Sequence, residues 1–426
     1  MLKLIVQHSP KLFAFLCGLH LRLSKPQWQH VIRLVDALIV SEARHKTIAG
    51  VYRLIVDAPD SSNGADTLRI SPWTAEDLRA PIRDFIVQDL VEYAHERDNW
   101  TLYVSLDDSL DEKDKGTRHL EAVDYHHDHT KSQGKKKPYY TNGAVHIEVR
   151  LELGTRSYAY DWRLYLREKT VRRLNKHRSP EQRLRFRKKT TLAQEMLVAL
   201  QQRLPPRFQV YVLFDSWYAA NRLLKFCRHQ HWHVVCAIKS NRKLNDQKLS
   251  QWPQALRHQR YQRVQLTATD QRQRTYLVRT LQGKLTKLPF EVCVLISQRR
   301  HRDKHPKYFL CTDLALSAQH ILSIYQKRWP IEVDNFYVKQ HLGLADFRVQ
   351  SYEATEKWFA LVFLALVFLQ WRLNQAHRKE RLYSLADVVR QHRYEHARTL
   401  LETACQEAAK VSDYLPVVKR FLCQPT

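Results

Sequence analysis

Glycine is scarce in this chain, with nine among 426 residues. None of them gathers into a phosphate-cradling loop, which argues against an ATP-driven motor. Cysteine carries no framework either. Cys17, Cys227, Cys236, Cys293, Cys311, Cys405 and Cys423 are scattered and odd in number, with no C-x-x-C pair. Neither a zinc ribbon nor a disulfide scaffold is supported, and a reducing cytoplasm is the expectation. Internal repeats and low-complexity segments are missing. The opening MLKLIVQHSPKLFAFLCGLHLRL is interrupted by His8, Ser9, Pro10 and Lys11 and is followed by no small-residue cleavage site, so no targeting segment is expected. The most apolar run, WFALVFLALVFLQW at 358–371, has 14 residues. That is short of the roughly 20 needed to span a bilayer, and it reads as a buried core helix.

What the chain has in excess is positive charge: 70 Lys+Arg against 43 Asp+Glu, a net of +27. Such a surplus predicts a polyanionic partner, and nucleic acid is the usual one. A membrane surface is the competitor, but no basic amphipathic anchor helix stands out. The densest run is REKTVRRLNKHRSPEQRLRFRKK at 167–189, with eleven Lys/Arg against two Glu. It reads either as a solvated loop or as a surface that tracks phosphates. The block around His126, His127, Asp128 and His129 matches no standard zinc spacing and reads as a polar loop. Ser109 and Ser216 lie in no G-x-S-x-G elbow.

Hydrophobic residues at 44% suit a globular chain, and its length allows two or three structural units. Residues 1–98 read as helical, with a polar break at SSNGAD (61–66), and form either a DNA-binding bundle or a cap on the main domain. From Trp100 the pattern changes. TLYVSL (101–106), GAVHIEVRLEL (143–153), SYAYDWRLYLR (157–167), FQVYVLF (208–214) and WHVVCAIK (232–239) read as strands, with helices at 191–204 and 218–230. Three strands of meander type followed by strand–helix alternation predict an α/β fold, a mixed sheet flanked by helices, over 99–239. Residues 240–313 read as a β-rich insertion, 314–372 as the second part of the core, and 373–426 as a helical, polar tail.

Two of the strands run into acids. TLYVSL is followed by Asp107-Asp108-Ser109, and FQVYVLF by Asp215-Ser216-Trp217. Carboxylates just past strand ends sit at the sheet rim, where open α/β sheets place ligands. An isolated Asp there is usually a turn or cap residue. A third acid, Glu332, lies in YQKRWPIEVDNFYVKQHLGL (325–344) between Tyr325, Arg328 and Lys339. Clustered carboxylates persist when a cation bridges them, and an all-oxygen set suits Mg²⁺ or Mn²⁺.

At these residues the sequence resembles the DDE transposases of bacterial insertion sequences, in the branch marked by Tyr-x2-Arg-x3-Glu-x6-Lys. YQKRWPIEVDNFYVK (325–339) matches all four signature positions. The likeness covers roughly 100–370. It implies a ribonuclease H-like core with a β insertion between the second Asp and the Glu. The first acid carries to Asp108, with Asp107 as the alternative, the second to Asp215 and the third to Glu332. It also implies two Mg²⁺ or Mn²⁺ ions on Asp108, Asp215 and Glu332, and Tyr325, Arg328 and Lys339 as grips on phosphates. Trp329 and Trp217 are either stacking platforms for an unpaired base or core residues. The implied partners are double-stranded DNA, its terminal inverted repeats and target DNA, held by a homodimer at the bacterial nucleoid, with no membrane. Pro330 cannot sit comfortably inside a helix, so a break is expected, with Trp329 near an N-cap and Pro330 at the first helical position. A structure-specific nuclease and an inactive, transposase-derived DNA-binding protein are the rival readings.

Overall fold

The computed structural model describes residues 2–134, 137–267, 272–300, 305–378 and 384–422. Five helices come first: α1 (Pro10–Gly18), α2 (Lys25–Val40), α3 (Ile48–Tyr52), α4 (Ser61–Arg69) and α5 (Glu76–Arg97). Helix α4 occupies the stretch predicted as a polar break. Asp60 accepts a hydrogen bond from the Ser62 N–H at 2.7 Å and starts it. Gly64 then lets the helix press on Tyr52, whose ring would stand 2.6 Å from a Cβ at that position. A polar composition hid a helix whose buried face is made of Gly64, Thr67 and Leu68.

Four strands follow: β1 (Thr101–Glu112), β2 (Asp124–His127), β3 (Tyr140–Leu153) and β4 (Arg156–Tyr165), with the short α6 (His129–Ser132) after β2. Next come α7 (Glu168–Leu174), α8 (Lys189–Gln201), β5 (Gln209–Phe214), α9 (Asn221–His229) and β6 (His233–Ile238). A two-residue pair, β7 (Lys243–Leu244) and β8 (Gln247–Lys248), and the single turn α10 (Trp252–Ala255) lead into β9 (Gln262–Thr267), β10 (Gln273–Lys284), β11 (Glu291–Gln298) and β12 (Lys307–Cys311). The chain closes with α11 (Ala318–Gln326), α12 (Pro330–Gln340), α13 (Tyr352–Arg378), α14 (Leu385–Ala408) and α15 (Leu415–Phe421).

The main sheet runs β2-β3-β1-β5-β6-β12-β11-β10-β9, with β4 also paired to β3. Pairs β1–β5 and β5–β6 are parallel, and the other pairs are antiparallel. Strands β9–β12 therefore extend the same sheet through the β12–β6 pair rather than standing apart from it.

The apolar run at 358–371 lies in α13. By length and composition Tyr352–His377 could cross a membrane, but most of it is buried inside the protein. The helix is 27 residues long, about twice the apolar run, so burial rather than length identifies it as core. Trp358 to Leu369 are buried almost completely, packed with α2, α4, α5, α14 and β4. The N-terminal helices thus share the main core cluster with the sheet.

Candidate active site

Strand β1 does not stop at Leu106, as the apolar pattern suggested. It continues through the acids to Glu112, paired to β3 throughout. Its parallel partner β5 ends at Phe214, opposite Leu106. The acids reach the rim because β5 stops, not because β1 does. The next step along each strand is Asp107 on one and Asp215 on the other.

Alternation along β1 decides which side each acid takes. Leu102, Val104 and Leu106 join the main core together with Val210, Val212 and Phe214. Tyr103 packs on the opposite face with Tyr211 and Leu213, under α11. Ser105 follows that face, its hydroxyl donating to the Lys327 carbonyl at 3.2 Å. Asp107 continues it: Arg328 donates to its carboxylate at 2.5 Å and lies 3.4 Å from Glu332. One guanidinium thus touches both acids. Asp215 is fixed by its own turn, accepting from the Trp217 N–H at 2.8 Å and the Tyr218 N–H at 3.3 Å.

Burial, reinforced by the Glu332, Asp108 and Asp215 carboxylates, pushes Asp107 up to about 7 against the pull of Arg328. Although burial opposes its charge, Arg328 is held upward by Asp107, Glu332 and Asp215. Asp108, Asp215 and Glu332 therefore all lie within electrostatic reach of Asp107.

Asp108 leaves β1 on the other face. Lys189, the first residue of α8, donates to one of its oxygens at 2.6 Å, and the Tyr218 hydroxyl donates to the other at 2.9 Å. The Lys189 ammonium also lies over the rings of Trp217 and Tyr165, at 5.2 and 5.4 Å. Neither Lys189 nor Tyr218 stood out in the sequence, since each acts through a partner about 80 or more residues away. Burial, with the Lys189 charge added, lowers nearby His126 to about 4.

The break at Pro330 is where it was expected, with Trp329 at the N-cap and Pro330 opening α12. It is a tightening rather than a gap. The N–H groups of Lys327, Arg328, Trp329, Ile331 and Glu332 all bond three residues back, and Trp329 keeps right-handed helical angles. Arg328 and Glu332 still face each other across it. Tyr325 packs edge-on against Phe309, and burial pushes its hydroxyl up to about 12. Lys339 lies two turns beyond Glu332 and donates to the Leu110 carbonyl at 2.7 Å, with Asp111 at 3.6 Å. It meets the far end of β1 rather than the other signature side chains. Trp217 and Trp329 are 41% and 52% exposed, so neither is a core residue.

Helix α12 and the turn that leads into it are seated on β3 by a row of polar side chains. His146 contacts Asn335 at 3.1 Å, Arg150 pairs with Asp334, and Glu152 accepts from Lys327 at 2.6 Å. Glu148, fully buried between them, is raised well above the usual carboxylate range by burial and then by Asp334. Gln370 of α13 donates to Asp334 at 2.9 Å. The signal for this row was present in VHIEVRLE, where every second residue of an apolar strand is polar.

A cavity of about 730 Å³ opens beside Arg328, between the ends of β9–β12 and α11. Tyr276, Phe309, Tyr325 and Trp329 line it together with Arg274 and Lys307. Elsewhere, among the described residues, Asp36, His392 and His396 bring three possible metal-ligand atoms within 4.8 Å of one another. Asp36 accepts from the two histidines at 2.8 and 2.9 Å and from the Ser9 N–H at 3.1 Å. Arg372 can only donate to His392 Nδ1, at 3.3 Å, which leaves the ring proton on Nε2, facing Asp36. This group is a hydrogen-bonded clamp between α2 and α14.

A large mixed sheet flanked by helices, with acids gathered where β5 ends, is consistent with a ribonuclease H-like transposase fold. Residues 184–368 match the family model described as Transposase DDE domain. The match takes in β5 with Asp215 and both helices of the Tyr325–Lys339 signature, and it supports the resemblance to DDE transposases. No curated protein matches the chain.

The donor set fits a hard divalent cation. It is all oxygen, and the burial that raises Asp107, with the carboxylates that add to it, opposes a negative charge that such an ion would stabilise.

Proposed function

We propose that the protein is a transposase that cuts DNA at the ends of a mobile element and joins those ends to a target. The observation that supports this most is the single guanidinium of Arg328 against both Asp107 and Glu332, on the face that Asp215 also borders. On that geometry Asp107 takes the first position in the acidic centre, with Asp215 and Glu332 as the second and third. Asp108, the residue the resemblance first selects, lies behind it on the opposite face. Asp107, Asp215 and Glu332 would hold a pair of Mg²⁺ or Mn²⁺ ions, which would supply Lewis-acid polarisation of the phosphodiester and neutralise its developing charge.

The chain's own side chains do the rest. Arg328, which forks onto carboxylates here, has the geometry to fork onto a phosphate. Tyr325 offers a hydroxyl kept neutral by burial, so it serves as a hydrogen-bond donor and not as a nucleophile. Trp329 and Trp217 offer exposed faces on which an unpaired base can stack, and the cavity of about 730 Å³ beside Trp329 has the volume to receive one. Water attacks the phosphodiester at the element's end and leaves a 3′-OH, which then attacks the target strand in the same centre. Lys339 steadies the far end of β1 and with it the acids. The partners are paired terminal inverted repeats and target DNA, bound by two copies of the chain in the bacterial cytoplasm.

The test is incubation with Mg²⁺ and DNA from the flanks of the gene. Strand cleavage and joining by the parent, lost in Asp215→Asn and Glu332→Gln, support the reading. Cleavage without joining makes the protein a nuclease. Equal cleavage by parent and variants removes the acids from the reaction.

A further inference from the structure

Both carboxylate oxygens of Asp108 are engaged. One is taken by the Lys189 ammonium and the other by the Tyr218 hydroxyl. Lys189 is the last residue of the basic run 167–189 and the first of α8. Its side chain is 19% exposed and that of Asp108 is 23% exposed, so the pair lies at the rim and not in the core. Two aromatic faces flank the ammonium, Tyr165 and Trp217. Trp217 is 41% exposed and opens the way outward.

We propose that Lys189 is a DNA-phosphate ligand held in reserve by Asp108, which releases it when the DNA backbone arrives beside Trp217. A phosphate and a carboxylate compete for the same three ammonium donors. The aromatic walls hold the cation near its place during the exchange. Asp108 is then a latch on Lys189, which accounts for a second acid next to Asp107 that faces away from Arg328 and Glu332. The inference rests on DNA being the substrate.

The test is a double-mutant cycle on DNA affinity. Binding of a fluorescein-labelled random-sequence duplex to the full chain is followed by anisotropy in EDTA, so that no divalent ion takes part. The variants are Asp108→Asn, Lys189→Gln and the double substitution, each checked by thermal melting. Asp108→Ser stands in if Asp108→Asn does not fold. Asp108→Asn is expected to tighten binding about fivefold, the scale of one partly exposed ion pair. Lys189→Gln weakens it, and in that background Asp108→Asn has no further effect. Equal tightening in both backgrounds means only that a repelling charge was removed, and overturns the latch. No tightening in the parent background overturns it as well. A parent that binds no duplex at all refutes the DNA reading itself.

Discussion

Asp107 and Asp108 are neighbours in β1 and leave it on opposite faces, the first to Arg328 and the second to Lys189. The two substitutions should therefore separate. Asp107→Asn is expected to lower Mg²⁺-dependent cleavage by at least about 100-fold, as for loss of a direct metal ligand. Asp108→Asn should stay within about tenfold of the parent. Single-turnover cleavage of end DNA checks both, and equal losses would put both acids in the same role.

The polar row beneath α12 makes a stability prediction. Asp334 and Arg150 are a buried pair, and Gln370 adds a second bond to Asp334. Removing Asp334 leaves the buried Arg150 charge with only Glu148 beside it, whose charge burial opposes. Asp334→Ala should cost about 3 kcal/mol, and adding Arg150→Met should recover most of it. Urea unfolding of the parent, both single variants and the double variant measures this. Additive losses would show that the pair does not act as a unit.

Lys46 makes a pH prediction remote from the acids. It is buried and donates to the Leu38 and Ser41 carbonyls at 2.7 Å. Burial, with Arg393 nearby, lowers it to about 7, against Asp346 and Glu42, which pull it up. Below that pH both folded and unfolded chains carry the proton, and the cost of burying the charge is full. From about pH 7 upward the folded chain loses the proton first, so its stability rises with pH towards 10. Lys46→Met should abolish this contribution. Melting temperatures across that range check it, and an unchanged slope in the variant would contradict it.

The strands that carry Asp107 and Asp215 were readable because their apolar residues cluster, and the Pro330 break was readable because proline has no N–H to give. The second half of β1 was not. In SLDDSLDE the ladder to β3 supplies the order, while the side chains that would announce a strand are acids. Strand β2, written in DYHH, was hidden because it has no apolar alternation. That Asp107 lies at the rim depends on where β5 stops relative to β1, a register that no local pattern records. Lys189 was visible only as one cation among eleven, since its partner lies 81 residues away. Helix α4 was missed because its polar residues outnumber the buried face that packs on Tyr52.

The central claim is that Asp107, Asp215 and Glu332 share divalent ions. Mn²⁺ titration of the DNA-free protein, followed by electron paramagnetic resonance, tests it most directly. The parent should bind Mn²⁺, and Asp107→Asn, Asp215→Asn and Glu332→Gln should each weaken that binding by at least about tenfold. Binding that survives all three substitutions unchanged would place the metal elsewhere and contradict the assignment.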